Sequence, residues 1–110
     1  ETTIMYVLTK KQTRPNQDVK FFDIRNVELV NKEYRDYWRA TYVATNKCIF
    51  VQHNLSPDQL EMTSVMMWES KTDYEAFIAD QTSLDEFLNK YTAYNTTHNI
   101  ITETVNEEEI

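Results

Sequence analysis

Glu61-Met62-Thr63-Ser64-Val65-Met66-Met67-Trp68-Glu69-Ser70 is the stretch on which the fold turns. Alternation sends Met62, Ser64, Met66 and Trp68 to one side of a strand and Thr63, Val65, Met67 and Glu69 to the other. Its centre is apolar on both faces, so both need cover. The helical segments elsewhere suffice for one side only, which leaves the second face for another copy of the chain.

Two helix-start signals follow this strand. Thr72 with Glu75 and Ser83 with Glu86 each fit a capping box. They predict a short helix from Asp73 to about Asp80 and a longer one from Leu84 to about Thr96. Tyr74, Phe77 and Ile78 turn inward on the first, and Leu84, Phe87, Leu88 and Tyr91 on the second. A last strand is expected over Ile100 to Val105, and residues 106–110 read as a solvated acidic tail.

Before the deciding strand, Cys48 to Leu55 alternates as a strand with Ile49, Val51, His53 and Leu55 on one face. The Ser56-Pro57-Asp58 turn joins the two as an antiparallel hairpin. Ile4 to Thr9 reads as the first strand, with Ile4, Tyr6 and Leu8 on one face. Gln12 to Asp18 is polar around Pro15, a loop or a frayed continuation of the strand, and Val19 to Ile24 reads as an extended edge segment, with a short helical turn as the alternative. Asn26 is placed to cap a helix from Val27 to about Thr45. Val27, Val30, Tyr34, Tyr37, Trp38 and Thr41 form its apolar face. Without glycine, left-handed backbone positions must fall to other residues, and Asn46, Asn54, Asn95 and Asn99 stand near predicted element ends.

The order strand, helix, strand, strand, helix, strand is ferredoxin-like: a four-stranded antiparallel sheet with its helices on one face. One α+β domain is expected over residues 1–105. Its second sheet face would present Met, Val, Ile and Phe side chains, and two such faces packed together would close a dimeric α/β barrel.

The run from Val65 to Phe77, an apolar strand ending in Trp68-Glu69-Ser70 and then an acidic, aromatic helix start, resembles the dimeric α/β-barrel superfamily and its antibiotic-biosynthesis monooxygenase-like branch. The resemblance implies a homodimer with a pocket between helices and sheet in each protomer. Where many members carry a His late in that helix, this sequence has Asp80 or Gln81. The Asn that the haem-degrading branch uses early in the fold has no counterpart in the first strand.

Composition narrows the function further. A formal charge of −7 disfavours nucleic acid and anionic membranes, both of which call for clustered Lys and Arg. No apolar run is long enough to span a bilayer. The absence of glycine removes the phosphate-binding loops of P-loop and dinucleotide enzymes. Cys48, the single cysteine, suits a reducing cytoplasm and reads as a buried, inert thiol.

The candidate site residues are aromatic, with one exception. Tyr34, Trp38 and Tyr42 on the first helix, with Tyr6 and Trp68 on strands, are placed to line a pocket for a small apolar or aromatic ligand. The same spacing also describes ordinary core. His53 on an apolar strand is the candidate general base, with a hydrogen-bonded core histidine as the alternative. His53, His98 and Cys48 lack metal-ligand spacing, and no cofactor is expected. A non-catalytic, small-molecule-binding or structural homodimer is the first reading. A cofactor-independent monooxygenase-like enzyme and an acidic protein-interaction module are the alternatives.

Overall fold

The computed structural model describes residues 4–26 and 28–110. Val27, the expected first residue of the first helix, lies outside them. The described chain forms strand β1 (Tyr6–Thr13), helix α1 (Lys32–Trp38) continued by a π-helical turn (Arg39–Val43), and strands β2 (Cys48–Leu55) and β3 (Glu61–Trp68). Helix α2 (Lys71–Ala79), a short helical turn α3 (Gln81–Ser83), a second π-helical turn (Leu84–Leu88), helix α4 (Asn89–Thr97) and strand β4 (Ile101–Glu109) follow. The sheet order is β2-β3-β1-β4, with every pairing antiparallel. The expected ferredoxin-like α+β class is borne out.

The helices cover one face of the sheet. Tyr6, Leu8, Cys48 and Trp68 from the strands pack there with Phe22, Val30, Tyr34, Trp38, Tyr42 and Phe77. A smaller cluster of Phe21, Met62 and Ile100 closes one end. The segment from Val19 to Ile24 is irregular and belongs to this covered side. Phe22 packs its ring against Phe87, Tyr91 and Tyr94. Arg14 braces the segment by donating to the Val19 carbonyl at 2.8 Å while stacking over Phe21. The open face therefore receives no cover from it.

Several boundaries differ from expectation, each for a local reason. Strand β1 runs four residues past Thr9 because Lys10 to Thr13 pair with both β3 and β4, although their side chains are polar. The first helix is capped by Asn31, whose Oδ1 accepts from the Tyr34 amide at 2.7 Å, and not by Asn26. Asn26 closes a turn instead, accepting from the Glu28 amide. Ser70 caps α2 through the Asp73 amide at 3.1 Å, two residues before the Thr72 box would start it. Ser83 is fully buried inside the next helical run, and Asp80 caps that run through the Thr82 amide at 2.9 Å.

A bulge at Ile49 lets Cys48 oppose Trp68 while Phe50 opposes Met67. Cys48 thus joins Val51 on the helix side, and Ile49 turns out to solvent. Asn46 and Asn99 have positive φ, as two of the four candidate positions. The third positive φ belongs to Gln59 in the β2–β3 turn; Asn54 is in a strand and Asn95 in α4. Strand β4 continues through Glu109, so residues 106–109 are paired with β1 and do not form a free tail.

By register, the open face carries Val7, Phe50, Val65 and Met67 at one end. Towards the other end come Thr9, Gln52, Asn54 and Thr63, and then Lys11 paired with Glu61 and Glu103 at 3.3 and 2.9 Å. Apolar residues hold only part of this face, where they were expected to dominate it.

Candidate functional site

A cavity of about 130 Å³ lies between the sheet and its helices. Its floor is two transverse rows of directly opposed residues, one per strand. The apolar row is Leu8, Met66 and Val51, and the polar row is Lys10, Ser64 and His53. A third row begins with Gln12 on β1. The walls and roof are largely aromatic: Phe22, Tyr34, Trp38, Tyr74, Phe77, Phe87 and Tyr91.

Strand alternation produces the floor, because Leu8, Lys10 and Gln12 must share a face. The helical roof involves both π turns. Phe87 and Leu88 sit within the second, and the first begins directly after Trp38. Wider helical turns of this kind recur at functional sites.

The polar lining is unusual in how few partners it has. His53 Nδ1 lies 2.7 Å from Ser64 Oγ, while His53 Nε2 is buried without a partner among the described residues. Gln12 Oε1 and the Tyr34 hydroxyl are likewise buried and unpartnered. Gln12 is only 5% exposed and Tyr34 only 3%, so solvent does not replace the missing bonds.

Burial, reinforced by the nearby Arg25 guanidinium and opposed by Asp23, lowers the His53 pKa from 6.5. The imidazole is therefore neutral at neutral pH. Asp23 accepts from Arg25 through both carboxylate oxygens at 3.2 Å, which balances its charge at the cavity edge.

Of the six residues expected to line a pocket, Tyr34, Trp38 and His53 do so. Tyr6, Tyr42 and Trp68 lie beyond it in the adjoining core. Trp68 has no exposed surface and packs against Tyr42 and Phe77 at 5.7 and 5.3 Å between ring centres. The Tyr6 hydroxyl donates to Glu107 on β4 at 2.7 Å. Tyr42, together with Tyr37, donates to Asp80. Asp80, at the position where many members of the resembled superfamily carry His, thus serves as a cap and helix tie away from the cavity.

Lys10, Gln12, Ser64 and Asp23 were missed from sequence. Continuing the β1 alternation beyond Thr9 was the signal that would have placed Lys10 and Gln12 inward with Leu8. Cys48 is 2% exposed, and burial pushes its thiol up to about 11, so it is not a nucleophile at neutral pH. Among the described residues no group of three or more His, Cys, Asp and Glu side chains gathers as a metal site. No helix there is long and apolar enough to cross a membrane.

Solved structures place this architecture. A dimeric ferredoxin-like protein from an uncultured marine organism superposes with a TM-score of 0.59, at 10% identity over 97% of this chain and 95% of that one. A Shewanella oneidensis protein gives 0.53 at 11% identity, over 99% and 95%. An antibiotic biosynthesis monooxygenase from Bacteroides thetaiotaomicron, putative by its own description, is more distant, at 0.43 and 7% over 96% and 85%. The chain has the ferredoxin-like fold. No protein-family model and no curated protein matches it.

Proposed function

We propose that this protein binds a small, single-ring-sized molecule without transforming it, as a homodimer closed through the open sheet face into an α/β barrel. One observation carries the ligand reading: an apolar cavity of about 130 Å³ lined in part by His53 and Gln12, each of which carries a buried polar atom without a partner among the described residues. An engineered cavity of about 150 Å³ in another protein accommodates benzene, which sets the scale of the ligand. Aromatic walls supply the apolar contact, and the polar atoms supply orientation. The dimer reading is supported by the apolar end of the open face and by the dimeric state of the marine structural neighbour.

Calorimetric titration with single-ring compounds tests the ligand reading. Saturable one-to-one binding per protomer is expected, and Leu88→Trp, which fills the roof, abolishes it. A flat titration across apolar, neutral-polar and charged rings, with the protein shown to be folded, overturns it.

A second reading, a cofactor-independent monooxygenase-like enzyme, is favoured by one feature. His53 presents a neutral imidazole beside the space a substrate ring would occupy. Oxygen consumption with activated phenolic rings would support that reading, and its loss in His53→Gln would assign the base. No consumption above the buffer rate rejects it.

A further inference from the structure

We infer that the cavity selects a single-ring carboxylate, with the carboxylate held by the row Lys10–Ser64–His53 and the ring over Leu8, Met66 and Val51. This rests on the cavity being a ligand site and adds the chemistry of its occupant.

Three features converge on an anionic head. First, the cavity floor is divided. Lys10 opposes Ser64 on the neighbouring strand, and Ser64 opposes His53 on the next, so cation, hydroxyl and imidazole lie in line across three strands. The parallel row of Leu8, Met66 and Val51 is wholly apolar. A molecule spanning the two rows must be polar at one end and apolar at the other.

Second, the charge balance inside differs from that of the chain. Lys10 has no carboxylate partner among the described residues. Asp23, the acidic residue of the lining, is already engaged through both oxygens by Arg25. One positive charge remains uncompensated within a protein of net charge −7. An anion entering a half-enclosed, low-dielectric space beside it is stabilised far more than at the surface.

Third, the polar row offers a free donor beside Lys10, while the unpartnered acceptor Gln12 Oε1 belongs to the next row along. When Ser64 Oγ donates to His53 Nδ1, the 2.7 Å contact leaves Nε2–H as a second donor. A carboxylate offers two oxygens with about four acceptor sites and is ionised at neutral pH without help from the protein. A phenol would first have to lose its proton.

Benzoate and benzamide, nearly equal in shape and differing in charge, form the test. At pH 7 and low salt, titration calorimetry is expected to show benzoate binding at least tenfold more tightly than benzamide. Lys10→Met removes that preference by weakening benzoate binding at least tenfold relative to benzamide, while Lys10→Arg retains it. Equal affinities in the native protein, or a preference unaffected by Lys10→Met, overturn the carboxylate assignment and leave the cavity as a neutral-ligand site. Failure of both compounds to bind, with other single rings binding normally, also overturns it. Failure of every ring removes the ligand site itself.

Discussion

Phe77 touches both parts of the interior. Its ring lies 5.3 Å from Tyr42 and 5.3 Å from Trp68, and it also lines the cavity. Phe77→Ala should therefore cost about 3–5 kcal/mol, the range for emptying an aromatic core position. In urea this appears as a lower midpoint, and a change under about 1 kcal/mol would mean that the cavity had collapsed without penalty. His53 makes a pH-dependent contribution. Its folded pKa is depressed from 6.5, mainly by burial, so the unfolded chain binds the proton first as pH falls. Stability should be complete above about pH 6.5 and decline below it until the folded imidazole also protonates. His53→Gln should flatten that part of the curve, as read by urea midpoints between pH 7.5 and 5. Asp80 acts in a lower window. Burial raises its carboxyl, but hydrogen bonds from Tyr37, Tyr42 and the Thr82 and Ser83 amides outweigh this and hold it below 3.8. Its contribution is present above about pH 4 and is lost as pH falls through the folded value, a loss that Asp80→Asn should remove.

Helix caps decide where the elements begin, and here the sequence offered more caps than the chain uses. Asn26, Asn31, Ser70, Thr72, Asp80 and Ser83 are all good capping residue types, yet only Asn31, Ser70 and Asp80 accept from a first-turn amide. Tertiary packing chose among them. Phe22 and Val30 are buried in the loop before α1, so the helix can begin only after Asn31. Ser83 is fully buried under the helices, where capping by Asp80 leaves the run continuous. Asn31→Ala should cost about 1 kcal/mol, or roughly 4–8 °C in Tm, and Thr72→Ala almost nothing. A thermal melt separates the two, and equal losses would restore the Thr72 box.

The apolar alternation of Cys48 to Leu55 made strand β2 legible to the residue, but its bulge at Ile49 was not, since nothing local marks the extra residue. Strand β1 was read too short because Lys10, Lys11 and Gln12 look like loop. Their partners are far along the chain, and pairing with β3 and β4 outweighs their weak strand preference. The cavity was legible in Tyr34, Trp38 and His53, which alternation and helical spacing turn inward. Its polar end depended on the length of β1 and was hidden with it. The inward set Val30, Tyr34, Trp38 and Tyr42 departs from the expected Thr41 because the π turn is wider and brings Tyr42 under Trp38.

As a whole, the molecule has two unlike sides, one sealed by helices and aromatic rings and one bare. The bare side is apolar mainly around Val7, Phe50, Val65 and Met67, with Ile101 apart from them opposite Thr13, and the proposed barrel would place the main patch against its copy. Met67→Glu should then shift the molecule towards monomer in light scattering across dilution. A native protein that is already monomeric at every concentration, or a variant that remains dimeric, would mean that this patch is not the contact.

The bulge at Ile49 bears on how the protein behaves when crowded. Both sheet edges expose backbone groups to which a stray strand could add. On β4 the exposed Ile101 and Val105 are flanked by Glu103, Glu107, Glu108 and Glu109, whose mutual repulsion turns away a second copy of that edge. The β2 edge lacks such a fence, and Ile49, Phe50 and Leu55 there are roughly half exposed. What guards it is the kink, which breaks the flat register that an invading strand would need. Aggregation therefore has a preferred starting point. Deleting Ile49 would straighten β2 and let the protein assemble edge to edge, while the acidic edge stayed inert.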